Sequence, residues 1–298
     1  MVLDTVTYGD EKQNRRKARI RLSLVLTMLI LFGLFVVIPF YWMIMTAFKT
    51  EAQVLTSPPI IWLNPVNWQF SNFASAMETA PFLRYMANTV LVSVISTIGT
   101  VITTVFAAFA FARLNFNGRD FLFMILISTM MIPGEIFVIT NFLTVVELGW
   151  IQNQTYMNAI LAMTLPFMTS IFYIFFLRQS FRQIPDELYY AAKVDGTNDF
   201  KYLFRVMVPI ALPTIITITI LNAMGTWNAY IWPRLVTQQQ EFRLVSNGLR
   251  DAFSNIAGRI LYNEQMAAAL LVTFPLLVVF LVLKKYIIRG VSRSGIKG

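Results

Sequence analysis

The sequence predicts an all-α, polytopic membrane protein of six transmembrane helices with both termini in the cytoplasm, and three observations predict it. Of 298 residues, 57% are hydrophobic and 13% charged, and the mean hydropathy of +0.62 lies well to the apolar side of soluble globular chains. The apolar residues fall into long uncharged runs separated by short charged segments. The basic residues gather on alternate connections between those runs. With no Cys and no His, the chain lacks disulfides, thiol nucleophiles and the ligands most transition-metal sites use, so neither a metal nor redox chemistry is expected.

The runs predict spans at about 22–47, 85–112, 121–146, 155–177, 206–233 and 265–283. At about 1.5 Å per residue the first exceeds the roughly 30 Å hydrocarbon core and crosses it with some tilt. It follows a basic stretch as a signal peptide would, but its apolar run is far longer than the ~7–15 residues of a signal core, so it is expected to stay as an anchor. Helices are the economical reading, because in lipid each segment must satisfy its own backbone and strand-length alternation is missing. Outside the 22–289 permease region lie a basic tail, 1–21, and a short tail, 290–298; the connection 178–205 is the other long inner segment.

Orientation follows from Lys and Arg. The amino-terminal tail carries Lys12, Arg15, Arg16, Lys17, Arg19 and Arg21, and further basic groups crowd the second-to-third connection, the fourth-to-fifth connection and the carboxyl-terminal end. The opposite side holds only Lys49, Arg84, Arg234, Arg243, Arg250 and Arg259, so it is the outer one. Trp62, Trp68, Trp150 and Trp232 fall on outer connections, where they suit the headgroup level or ordinary loop packing. The +9 net charge is thus sorted by membrane side, and lipid rather than nucleic acid is its expected partner.

Residues 184–197 read Ile-Pro-Asp-Glu-Leu-Tyr-Tyr-Ala-Ala-Lys-Val-Asp-Gly-Thr. Pro185 suits the first turn of a helix, Asp186 and Glu187 complement its positive end, and Gly196 suits a left-handed stop. Thr197 is then placed to cap a second helix with Asp199 in its first turn. Leu188, Ala191, Ala192 and Asp195 share one face at three- and four-residue spacing, small enough to dock into a groove on another protein. A juxtamembrane helix lying on the lipid surface fits the same pattern.

This loop resembles the EAA coupling loop of importer-type ATP-binding cassette permeases, through Ala191, Ala192, Asp195, Gly196 and Pro209. Residues 39–49, Met131-Ile-Pro-Gly134, Trp227-Asn228, Met266-Ala-Ala-Ala269, Pro275 and the 290–298 tail are similar to the carbohydrate-uptake branch related to the maltose permease pair. Tyr190 stands where that family usually has Glu, which removes a salt bridge to the ATPase but not the helix-turn geometry. The resemblance implies an ABC type I importer-like permease subunit in the bacterial cytoplasmic (inner) membrane. It implies a second homologous permease, a cytoplasmic ATPase dimer that holds ATP and Mg, and an extracytoplasmic solute-binding protein. This chain would bind no cofactor; it has no Gly-Xaa4-Gly-Lys-Ser/Thr phosphate loop, so hydrolysis falls to the partner. The implied coupling residues are Leu188, Tyr190, Ala191, Ala192, Asp195 and Gly196, and the implied cargo is a sugar, an oligosaccharide foremost.

Candidates for the solute path are Glu135, Asn222, Trp227 and Asn228. Glu135 follows Pro133-Gly134 inside the third span, where a carboxylate costs several kcal/mol unless wet or paired. It lines a polar path or bonds a neighbouring helix. The amides suit sugar hydroxyls or helix–helix contacts, and Trp227 suits ring stacking or interface anchoring, the role also read for Tyr230 and Trp232. An ion-coupled secondary transporter is the alternative; it would place several ionisable groups within spans, and Glu135 is the only one well inside. A channel or membrane enzyme would need a filter motif or a convergent acid–base set, which the sequence does not show. Within the importer class, glycerol-phosphate is the alternative cargo.

Overall fold

The computed structural model describes residues 8–152, 155–253 and 261–295, whose regular elements are all helices, with no strand among them. The expected tail motif reaches Ile296, Lys297 and Gly298, and the outer connection includes Arg259; these positions lie outside the described residues. The chain divides into two compact units, residues 1–76 with 261–270 and residues 77–260 with 271–298.

The first unit contains α1 (Tyr8–Ala47), α2 (Glu51–Val54), the start of α3 (Ser71–Thr79) and the start of α15 (Tyr262–Gly295). The apolar window of α1 is 0% buried within this chain, and its apolar surface on every side suits lipid. At its end Asn72 Nδ2 donates to the carbonyls of Ala47 and Lys49, both at 2.8 Å, which satisfies acceptors the helix end leaves open. Asn72 in turn accepts from Asn263 Nδ2 at 3.0 Å. Lys49 is buried with its ammonium 4.4 Å from the centre of the Trp42 ring. Trp68 stacks on Phe48 at 4.4 Å and is loop packing, whereas Trp62 is 67% exposed.

The second unit is built on α4 (Phe82–Arg113). Val90, Val94, Ile98, Ile102 and Phe106 make an exposed apolar stripe at four-residue spacing. The other face buries Thr89, Ser93, Ser96, Thr97, Thr100, Thr104 and Ala108, small residues that let neighbouring helices approach closely. Around it lie α5 (Arg119–Thr129), α6 (Ile136–Glu147), α7 (Tyr156–Thr164), α8 (Ile171–Arg182), α9 (Asp186–Val194), α10 (Asp199–Tyr202), α11 (Val208–Ile210), α12 (Leu212–Trp227), α13 (Ile231–Val236), α14 (Val245–Ala252) and the rest of α15. One apolar cluster gathers Phe109, Leu177, Phe181, Tyr202 and Met207 near α9. A second gathers Val92, Val145, Ala162, Trp232 and Leu244.

Among the described residues three helices are long and apolar enough to cross a membrane, Arg15–Ala47, Phe82–Arg113 and Tyr262–Val282, and five if each of two bent pairs is one span. The runs read as 155–177 and 206–233 are not straight. The first bends by 54° between Phe167 and Ile171, after Pro166, and Thr103 Oγ1 donates to the Met168 carbonyl at 2.6 Å there. The second bends by 79° at Ala211, between Pro209 and Pro213, neither of which has an N–H to continue the ladder. A stretch of π-helix, Leu203–Met207, precedes it. The run 121–146 divides into α5 and α6 on either side of residues 130–135, the break that Pro133-Gly134 marks.

Gly248 tests the packing of this unit, because a Cβ there would meet the ring of fully buried Tyr85 at 2.2 Å. Gly248→Ala is expected to lower stability by roughly 1–3 kcal/mol through overpacking. Gly33→Ala, which meets nothing within 4 Å, is expected to leave it unchanged or slightly raised. Thermal melts of the two variants in detergent check this.

Candidate functional site

Two places in the second unit carry side chains positioned for contact with something else: the α9 turn and a cavity walled by α4, α8 and α12.

α9 starts after Pro185, whose extended backbone (ψ 139°) places it just outside the helix, with Asp186 and Glu187 in the first turn. Its end is a full Schellman turn: Thr197 N–H donates to Ala192 O at 2.8 Å and Gly196 N–H to Lys193 O at 3.0 Å, with Gly196 at φ +69°. The cap of the next helix is Asn198, whose side chain accepts from Lys201 N–H at 2.8 Å, and not Thr197 as the sequence predicts. Asn is the better acceptor in this position, and Thr197 is occupied in closing the preceding turn. Lys193 Nζ (2.7 Å) and Tyr189 Oη (2.9 Å) both grip Asp199. Burial, with the Asp199 hydrogen bond, pushes the Tyr189 phenol up, and the same carboxylate holds Lys193 above the ordinary lysine range. The two helices are therefore one rigid hairpin.

The face predicted on α9 separates into two parts. Ala192 is half-buried and packs on the chain's own apolar cluster beside Tyr189. Leu188, Tyr190, Ala191, Asp195 and Gly196 are exposed, and with them Val194, which is 88% exposed. The open surface thus runs through Leu188, Ala191 and Asp195, widened by Tyr190 and Val194.

The cavity, of about 240 Å³, is walled by Ser96, Phe167, Tyr173, Asn222, Thr226 and Trp232 among others. Asn222 Nδ2 donates to Thr97 Oγ1 at 3.2 Å, which aims its amide at the α4 side. Trp232 is buried, its Nε1 donates to the Ala162 carbonyl at 3.0 Å, and it meets the Phe167 ring edge-on at 5.2 Å. It walls the cavity, and the interface role read for it is corrected: the short α13 turns it inward. Trp227 lies instead on an apolar groove of about 220 Å³ with Val94 and Phe280. Asn228 ends α12, donating to Met224 O at 2.8 Å, and Glu135 is exposed ahead of α6; neither lines the cavity. Of the four path candidates the cavity takes only Asn222. Tyr173 was not among them, because a lone Tyr in an apolar run gives no sign of the bend that turns it inward.

Two arginines, at the ends of α4 and α8, also escaped the sequence reading. Arg113, the last residue of α4, donates to Asp186 and to the carbonyls of Phe181 (2.9 Å) and Ile184. Arg178 of α8 donates to the Phe111 carbonyl at 3.0 Å and lies 3.8 Å from the centre of the Phe123 ring.

Comparison with known proteins adds to this geometry. Residues 99–293 match the family model described as binding-protein-dependent transport system inner membrane component. A probable ABC transporter permease of Mycoplasma pneumoniae is 30% identical over 297 residues, 96% of this chain and 92% of that one. A diacetylchitobiose uptake system permease of Streptomyces coelicolor is 28% identical over 268 residues, 90% and 86% of the two chains. In fold, the chain is similar to one in the crystal structure of a bacterial ABC transporter that imports the acidic polysaccharide alginate. That match has a TM-score of 0.79 and 24% identity, and it covers 91% of this chain and 98% of the other.

Gly196→Val puts a β-branched side chain at positive φ, strained by about 1–3 kcal/mol. It is expected to loosen the α9–α10 hairpin, read as faster hydrogen exchange at residues 190–202; exchange at the native rate would show that the turn does not depend on glycine.

Proposed function

Because the chain belongs to the family of binding-protein-dependent transport system inner membrane components, we propose that it forms half of a solute path and couples to a separate ATPase through α9. It is a permease subunit of an ABC importer. The observation that carries the coupling assignment is the exposed face of Leu188, Ala191 and Asp195 on a hairpin braced by Asp199 and closed by Gly196. A rigid helix with a small, open face is what a groove on a partner can grip. ATP and Mg belong to that partner, a pair of ATPases on the cytoplasmic side. A second permease completes the path, and an external binding protein brings the solute.

In this reading α5 and α6 together make the third of six crossings and both termini are cytoplasmic. The distribution of Lys and Arg supports that orientation. A reporter placed near Asn64 or Arg250 should therefore be accessible from outside only, and accessibility from the cytoplasm alone would reverse the topology.

The cargo is a sugar, with an oligosaccharide preferred. Tyr173, Ser96 and Asn222 offer hydroxyl and amide groups beside aromatic Phe167 and Trp232, the mixture that recognises a polyhydroxylated ring. ATPase activity of the purified complex, measured against neutral oligosaccharides and glycerol-phosphate with the binding protein present, tests this. Stimulation by glycerol-phosphate alone would replace the sugar.

Two variants separate coupling from path. Ala191→Arg puts a long charged side chain on the open face of α9, where a clash or unpaired charge costs several kcal/mol. It should abolish copurification of the ATPase while leaving expression intact. Asn222→Ala should keep the ATPase bound and reduce uptake about tenfold, the effect of losing roughly 1.4 kcal/mol from solute contact.

A further inference from the structure

The end of the second unit that carries α9 holds two arginines that reach across to each other's helices. Arg113 closes α4, and its side chain is 5% exposed. Its guanidinium reaches the carbonyls of Phe181 and Ile184, at and just past the end of α8, where a helix leaves its last acceptors open. The other terminal nitrogen pairs with Asp186, the first residue of α9. In return Arg178, in the last turns of α8, donates to the Phe111 carbonyl in the last turn of α4 and lies 3.6 Å from Asp120. Each helix thus caps the other's end with a cation, the sign that a helix carboxyl terminus favours.

From this the geometry points to Arg113 as a positioning residue that joins α9 to α4 and α8, so that displacement of α9 reaches the helices walling the Asn222 cavity. The inference rests on the reading of α9 as the ATPase contact. Three features carry it. The planar fork of arginine directs one terminal nitrogen to the two carbonyls and the other to the carboxylate, a fixed spread of donors that lysine's single nitrogen lacks. The guanidinium is buried, so its partners are fixed rather than exchanged with water. α4 then continues unbroken from Arg113 to Ser96 and Val92, and α8 extends back to Tyr173, all on the cavity wall. Among the described residues, Asp186 is the α9 side chain that pairs with Arg113, and 68% of it is exposed. Removing its charge therefore weakens the ion pair while Arg113 keeps both carbonyls and the apolar packing of Tyr189 and Ala192 still seats α9 on the cluster of Phe109, Leu177 and Phe181.

The test uses the complete transporter, with ATPase, second permease and binding protein, in vesicles. Asp186→Asn should copurify with the ATPase at the native level and hydrolyse ATP, but the solute moved per ATP should fall at least about fivefold, the low end of a coupling between sites. Asp186→Glu should restore most of the ratio, and Arg113→Lys should lose it as Asp186→Asn does. A native ratio in Asp186→Asn would overturn the inference. So would loss of the bound ATPase in that variant, which would make Asp186 a docking contact. Ala191→Arg, run in parallel, reports on the docking reading itself: native ATPase binding there would sink that reading whatever Asp186 does.

Discussion

The face of α4 that carries hydroxyls and small side chains is the constraint on which the larger unit depends. Lipid supplies no partner for an unpaired backbone group, so irregular segments survive only where protein supplies one. α4 does so at several points along its length. Asn88 Nδ2 donates to the carbonyls of Glu241 (2.9 Å) and Arg243 (3.0 Å), and Thr89 Oγ1 accepts from Val245 N–H at 2.9 Å. Further along, Thr103 Oγ1 donates to the Met168 carbonyl at 2.6 Å, where the α7–α8 chain bends. The approach there is close enough that a Cβ on Gly99 would lie 2.6 Å from Met168 Sδ. Packing of this kind, with hydrogen bonds in place of a hydrophobic driving force, is how helices associate in a membrane.

Function follows from what that packing leaves open. The bends of 54° and 79° come just before α8 and α12, and Ser96, Tyr173 and Asn222 line the cavity between these helices and α4. At the other end, α4 and α8 are capped by each other's arginines, and α9 follows with one side packed through Ala192 and the other exposed. The cavity and the exposed face of α9 are thus attached to the same helices. In the proposed function, such an attachment lets a differential contact with the ATPase shift the balance between two states of the permease.

Much of this was legible in the sequence, for physical reasons that also mark the limits. Uncharged runs longer than a bilayer predicted the helices, since composition alone determines what can stay in lipid. Gly196 was readable because few other residues take a left-handed turn cheaply, and the structure places it at φ +69°. The 79° bend was not readable as an angle: Pro209 and Pro213 announce a break, but proline spacing carries neither its size nor its direction. Trp232 was misread as an interface anchor, and the half-burial of Ala192 was not legible, because neither position along the chain nor periodicity says which face the chain covers itself. Arg113 and Arg178 looked like ordinary inner-side charges; only the meeting of two helix ends shows them to be caps. Of the path candidates, Asn222 reached the cavity because it lies on the α12 face turned to Thr97, while Trp227, five residues on, faces an apolar groove.

The central claim is that α9 is where the ATPase takes hold. The chain contains no cysteine, so single cysteines can be introduced without background, at Leu188 and Ala191 on the open face of α9 and at Asn115, an exposed position in the connection that follows α4. Crosslinking each to the ATPase in the assembled complex measures the contact directly. The account predicts strong crosslinks from Leu188 and Ala191 and none from Asn115; crosslinks from Asn115 with none from α9 would contradict it.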